Sequence, residues 1–133
     1  MDKLNSLFLV GVLLIGLPTL AHAQGETPED FVRADVEART VTLQGLETQL
    51  AALQQGADLE AQTQLAEDNR QAVEAAFNRY GVSSAVHTVY GTQESEAIAV
   101  WLQDHPEWQQ QYDNLTARLT TLSGQIDVLR GGN

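Results

Sequence analysis

The feature that most constrains this chain is an unbroken heptad stripe near its C-terminal end. Large apolar residues recur there in steps of four and three, a spacing that only a helix places on one side. The stripe comprises Trp108, Tyr112, Leu115, Leu119, Leu122, Ile126 and Leu129. A helix with such a side must be covered by another helix of the same chain or by a second copy. The stripe is therefore a candidate core or association surface.

Earlier residues supply a second long helix with its own heptad pattern of leucines. Thr27 precedes Pro28, a pairing typical of a helix start, because threonine caps the first turn and proline fits its first position. We expect this helix to continue to about Gln55. Gly56 then suits a helix end and Asp58 a new N-cap.

These signals predict a helical hairpin, with the second helix spanning about residues 59–80 and stopped by Gly81. The alternative is one continuous helix over residues 28–80, roughly 80 Å long. The heptad frames of the two halves do not join across residues 53–60, which favours the hairpin.

Residues 82–103 predict two short helical pieces. The first is one or two turns within 82–90, ended by Gly91, and the second covers about 93–103. The residue before a proline resists helical geometry, so the chain should bend near His105, just before Pro106.

Two tryptophans, Trp101 and Trp108, flank this predicted bend. Packing at the bend is the simpler interpretation of both side chains. They also remain candidate docking or pocket residues, because exposed aromatic side chains suit a contact surface.

A weak internal echo relates the two long helices. The pattern Ala-Arg-x-x-Thr-Leu-x-Gly occurs at residues 38–45 and again at 117–124. An old duplication and a coincidence between leucine-rich heptads both explain it.

Residues 1–23 resemble a secretory signal peptide. Lys3 precedes an apolar run from Leu7 to Leu20, and Ala21 and Ala23 form a small-x-small cleavage site. The run of about 14 residues is shorter than the roughly 20 that an uncleaved membrane anchor needs. We therefore expect export to the periplasm or the exterior, with residues 24–133 as a single helical domain and no stable membrane anchor.

The chain is strongly acidic, with 18 Asp and Glu against 7 Lys and Arg, a net charge of −11. Such a charge repels phosphates, which disfavours nucleic acid and anionic membranes as partners. The chain has no cysteine, which excludes a disulfide framework and a lipoprotein anchor. A protein partner is the remaining expectation.

No pattern in the chain indicates catalysis, a metal or a cofactor. His87 and His105 lack ligands at helical spacing, and we expect both to be surface or capping histidines. The paired carboxylates lie among polar residues, where nothing desolvates a general acid. The sequence contains no G-x-S-x-G and no glycine-rich phosphate loop. We therefore expect a protein that is not an enzyme.

Together these patterns predict an all-α fold, an antiparallel bundle of three to five helices with two long heptad-patterned members. The expected function is that of an exported, non-enzymatic helical protein acting by protein–protein interaction, as a chaperone, adaptor or scaffold. One alternative is an acidic inhibitor or immunity-type protein that neutralises a basic toxin or enzyme. Another is a small-ligand carrier with its pocket near Trp101 and Trp108. A homodimer through the stripe also stays open, and the sequence does not identify a partner.

Overall fold

The computed structural model describes residues 26–131 and shows five helices joined by short turns, with no strand in that range. The helices are α1 (Pro28–Gln54), α2 (Leu59–Asn78), α3 (Ser84–Gln93), α4 (Ser95–Asp104) and α5 (Pro106–Gly131). The all-α bundle with two long helices is confirmed, since α1 has 27 residues and α5 has 26.

The predicted signal peptide, with Ala21 and Ala23, lies outside the described residues, so its cleavage stays a prediction. Within residues 26–131, every helix is too short or too polar to cross a bilayer.

A tight turn between α1 and α2 confirms the helical hairpin. Gly56 adopts a φ of +82°, and its amide donates to the carbonyl of Leu53 while the Ala57 amide donates to that of Ala52. This pair of bonds is the Schellman arrangement, which favours glycine because a side chain is strained at that φ. The Asp58 side chain then caps α2 by accepting from the amide of Ala61 at 2.8 Å.

The central element is α1, which packs against each of the other four helices, whereas α2 and α5 do not approach each other. Helix α2 runs antiparallel to α1, with Arg79 paired to Glu37 at one end and Asn69 against Gly45 farther along. Helix α5 runs parallel to α1, so the predicted antiparallel arrangement holds for α1 and α2 but not for the two longest helices. The sequence emphasised the last helix, but α1 is the helix around which the bundle is built.

The ordered pairs along α1 and α5 establish that parallel direction. Arg33 lies over the ring of Trp108, and farther along the two helices Glu47 pairs with Arg118 at 2.8 Å. The chain returns to the start of α1 through α2 and then turns through α3 and α4, so α5 sets out from the same end as α1.

The short helices depart from the predicted boundaries at one point. Gly91 does not end α3 but lies buried within it, and the break falls at Glu94. Gly91 lacks the positive φ seen at Gly56 and Gly81, so it continues the helix. The bend at His105 is confirmed, because α4 ends there and α5 begins at Pro106.

The larger hydrophobic cluster lies at the end of the bundle where α1 and α5 begin. It joins α1, α4 and α5 through Phe31, Val32, Val36, Ile98, Leu102 and Tyr112. A second cluster, of Ala34, Ala38, Ala76 and Phe77, joins α1 to α2. Small alanines let these two helices approach closely.

Candidate functional site

The heptad stripe of α5 faces α1 but is only partly covered. Tyr112 and Ile126 are each 3% exposed, whereas Leu129 is 43% exposed. The other four members, Trp108, Leu115, Leu119 and Leu122, are half-buried. Cover for the stripe comes from α1 and, near Tyr112, from α4, because α2 lies on a different side of α1. The stripe therefore remains a candidate core or association surface.

Where this cover is thinnest, α1 and α5 border an open groove of about 420 Å³. We call it the distal groove, because it lies at the end of the bundle away from α3 and α4. Its lining is Leu50 and Gln54 of α1 with Thr121, Gly124, Gln125, Val128 and Leu129 of α5. None of these residues carries a charge, and a side-chain carbon added at Gly124 would meet open space.

The two tryptophans pack at the bend, at the opposite end from the distal groove. Both are half-buried and lie against the larger hydrophobic cluster, with ring centroids 6.3 Å apart. The ring of Trp101 stacks on His105 at 3.9 Å, and the guanidinium of Arg33 lies 5.1 Å from the centre of the Trp108 ring. The structure thus gives both tryptophans a packing role, and neither lines the distal groove.

A buried polar cluster lies between the start of α1 and α3. We call it the His87 cluster, and it consists of Glu26, Asp35, Arg39, His87 and Tyr112. The Nε2 atom of His87 is 2.9 Å from Oδ1 of Asp35, and Oδ2 of Asp35 accepts from Nε of Arg39 at 2.8 Å. The hydroxyl of Tyr112 also donates to Asp35. Asp35 therefore ties α1 to both α3 and α5.

The other nitrogen of His87 faces a second carboxylate. Its Nδ1 lies 3.7 Å from Oε1 of Glu26, and the two side chains are 5% and 4% exposed. That separation is too long for a hydrogen bond. Neither His87 Nδ1 nor Glu26 Oε2 has a hydrogen-bond partner.

Aromatic rings close the His87 cluster from both sides. The ring of Phe31 stacks on the imidazole at 4.0 Å with an interplanar angle of 5°, and Phe77 meets it at 4.5 Å. This enclosure lowers the local dielectric and strengthens every charge interaction within it.

The titration behaviour of the cluster follows from burial and neighbouring charges. Burial by itself would raise the pKa of Asp35, but the hydrogen bond to His87 and the charge of Arg39 outweigh it and hold that pKa at about 2. Burial raises the pKa of Glu26, and His87 offsets part of that rise. Burial next to the charge of Asp35 raises the pKa of Tyr112 well above its usual range.

Sequence reasoning missed this cluster, and its expectation of a surface or capping role was wrong for His87, which is 4% exposed. For His105 the capping role is confirmed, since that residue ends α4 with its Nδ1 2.7 Å from the carbonyl oxygen of Trp101. One signal was present: Arg39 interrupts the apolar stripe of α1 four residues after Asp35. A charge at a core position implies a buried partner.

Within residues 26–131, no three histidine or carboxylate side chains are grouped so that they could hold a metal ion. Comparison with protein-family models, with curated proteins and with solved structures found no match to this chain. The distal groove and the His87 cluster are therefore the two candidate functional features of this chain.

Proposed function

We propose that this protein is an exported, non-enzymatic interaction module that binds an amphipathic helix of another protein in its distal groove. The observation that carries the proposal is an uncharged groove of about 420 Å³ on a chain whose net charge is −11. In so acidic a protein, an exposed surface without charges invites an apolar partner.

The shape of the groove suits a helix. Two helices packed side by side leave a furrow between them, and side chains of a third helix fit into such furrows. Gly124 has no side chain to fill the groove, and Leu50 and Val128 line it with apolar side chains. A helix seated there would cover Val128 and Leu129, which are 72% and 43% exposed in the free protein.

Charge sets the second property of the partner. The groove itself requires an apolar contact side, and the surrounding acidic protein attracts basic residues on the flanks of the same helix. The partner we propose is therefore an amphipathic helix with an apolar stripe and basic flanks. An acidic inhibitor or immunity-type protein acting on a basic toxin or enzyme would be one form of this function.

The His87 cluster supports a non-enzymatic role. Its histidine and carboxylates have a composition that could move protons, but the Phe31 and Phe77 rings enclose the imidazole. A side chain 5% exposed offers no access to a substrate. The cluster instead joins elements of the fold.

Export belongs to the same proposal, on the basis of the predicted cleavage after Ala23. The intact mass of secreted protein should correspond to a chain that begins at Gln24. A full-length chain retained in the membrane would refute export but would leave the proposed role of the groove unaffected.

The groove is tested with a synthetic helical peptide that carries a leucine stripe and lysine flanks. Titrated into isotope-labelled protein, the peptide should shift the amide resonances of Leu50, Gly124 and Val128. Val128→Asn should weaken its binding about tenfold or more, because burying an amide against apolar side chains leaves that amide without partners. A scrambled peptide of the same composition separates apolar docking from charge attraction.

Val100→Asn is the matched control, because Val100 is also an exposed helical valine, at 58%, but lies on α4 outside the groove. The groove would be refuted as the binding site if Val128→Asn and Val100→Asn lost peptide binding equally, or if the scrambled peptide bound as well. Amide resonance shifts elsewhere on the bundle would also refute it.

Sedimentation over a hundredfold concentration range tests the other occupant, a second copy of this chain. Self-association that Val128→Asn abolishes would replace the foreign helix by a homodimer. An increase in ionic strength should slow association by screening the lysine flanks but leave the apolar docking.

A further inference from the structure

We propose that Glu26 and His87 share a single proton, and that this pair is a pH-sensitive latch holding Glu26 and Thr27, which precede α1, against the bundle. The latch is closed while the proton is present and opens when the proton is lost as pH rises.

The geometry of the imidazole carries the proposal. Each of its two nitrogens faces a carboxylate, Nε2 toward Asp35 at 2.9 Å and Nδ1 toward Glu26 at 3.7 Å. A protonated ring has an N–H on both nitrogens and can attract both carboxylates. A neutral ring has one N–H, so its other nitrogen turns a lone pair toward a carboxylate.

A count of the charges in the His87 cluster also indicates one shared proton. Glu26 and Asp35 supply two negative charges, and Arg39 supplies one permanent positive charge. One added proton, on the His87 ring or on Glu26, makes the cluster neutral. Its removal leaves a net negative charge in an enclosed site, which is unfavourable.

Glu26 is the carboxylate that leaves when the proton is lost. Asp35 keeps Arg39 and Tyr112 as partners, whereas Oε2 of Glu26 has no hydrogen bond. Glu26 also precedes the first helix, where a change in one or two backbone angles moves it to solvent. Asp35 lies within α1 and cannot leave without breaking that helix.

Among residues 26–131, no other contact brings Glu26 a positive charge that would compensate this loss. Asp30 of α1 acts on Glu26 with the same negative sign. Helix α2 presents the Phe77 ring to His87, and its Glu74 accepts from the Ser84 amide. Within the described residues, α3 brings Tyr90 near Glu26, α5 reaches the cluster through Tyr112, and no recorded contact joins α4 to His87.

The direction of the effect agrees with the burial of Glu26. Burial raises the pKa of Glu26 above its ordinary value, so its closed position is favoured with the proton bound and is lost as pH rises. Because one proton is released on opening, the ratio of open to closed protein should rise by up to about tenfold per pH unit in that range.

Two amides report whether the latch is closed. The amide of Asp30 donates to Oγ1 of Thr27 at 3.2 Å, and the amide of Phe31 donates to the carbonyl of Thr27 at 2.9 Å. Thr27 adjoins Glu26, so opening should release both amides. The amide of Ala61, which donates to the Asp58 cap at the other end of the bundle, is the internal reference.

The experiment measures hydrogen-exchange protection factors of the purified protein between about pH 5 and about pH 9, with intrinsic exchange divided out. Protection at Asp30 and Phe31 should fall with rising pH while that of Ala61 stays level.

Glu26→Gln should remove the pH dependence, because a glutamine amide is neutral and can donate to the lone pair of Nδ1. Glu29→Gln is the matched control, since Glu29 is a half-exposed carboxylate three residues away that pairs with Arg33. That variant should keep the pH dependence. Level protection in the wild type, an unchanged pH profile in Glu26→Gln, or a flattened one in Glu29→Gln would each overturn the latch.

Discussion

His87 joins α3 to α1 by placing its Nε2 atom 2.9 Å from Oδ1 of Asp35, a residue 52 positions earlier in the chain. The bond is enclosed by two phenylalanine rings and extended by Arg39 and Tyr112.

The first prediction compares two carboxylates of α1 that each pair with an arginine four residues later. Asp35→Ala should lower the free energy of unfolding by about 3–5 kcal/mol, because it leaves buried His87 and Tyr112 without their shared acceptor. Glu29→Ala should cost about 1 kcal/mol or less, since its bridge to Arg33 is half-exposed. Urea unfolding of both variants measures the difference. Equal costs would show that the Asp35 bonds add nothing to stability.

A second prediction concerns acid. The pKa of Asp35 lies at about 2, below its ordinary 3.8, so the folded state binds this proton less readily than the unfolded state. Its contribution to stability is therefore complete above the ordinary pKa and is lost as pH falls toward about 2. Melting temperatures measured across this range should decline, and Asp35→Asn should show a shallower decline. A parallel decline in that variant would assign the acid sensitivity to other groups.

The third prediction compares Gly45 with Gly124, the glycines that end the two copies of the repeated sequence pattern. A side-chain carbon at Gly45 would overlap the amide of Asn69, which must rotate away, and this cost offsets the gain in helix propensity, so Gly45→Ala should destabilise the protein by about 1 kcal/mol or less. At Gly124 nothing lies within reach, and Gly124→Ala should stabilise by up to about 1 kcal/mol through helix propensity.

The double variant Gly45→Ala/Asn69→Ala decides the cause of the first effect. Removing the overlapping amide should restore much of the lost stability, which a double-mutant cycle measures. If the stability costs of Gly45→Ala and Asn69→Ala simply add in the double variant, the alanine and asparagine side chains do not collide.

Leucine truncations provide the fourth prediction. Leu43→Ala should cost about 2–5 kcal/mol, because Leu43 is 3% exposed at the centre of α1. Leu59→Ala should change stability by less than about 0.5 kcal/mol, since that side chain is 78% exposed. Leu119→Ala should fall between them, as a half-buried member of the stripe. A Leu119 cost as large as that of Leu43 would indicate cover from a second copy.

Local chemistry let the sequence predict most helix boundaries. Gly56 and Asp58 mark the hairpin because the turn itself requires a residue with a positive φ and a side chain that accepts from a free amide at the start of α2. Neither requirement depends on what packs nearby. Pro106 marks the bend because a proline keeps the residue before it out of helical geometry, which is also a local effect. The all-α class followed equally directly from heptad spacing in the long helices.

The candidate sites depended on contacts between distant residues. The echo gives Gly45 and Gly124 the same local sequence, yet one lies against Asn69 and the other on an open groove. The heptad stripe showed which side of α5 is apolar but not that its end at Leu129 would be left exposed.

By itself, the sequence determined where this chain turns and which sides of its helices are apolar, since both depend on neighbours within a few residues. The tertiary structure decided that α1 lies at the centre, that the distal groove is open, and that His87 is buried between Asp35 and Glu26. Burial and charge pairing join residues far apart in the chain, and heptad spacing carries no information about which helix covers which.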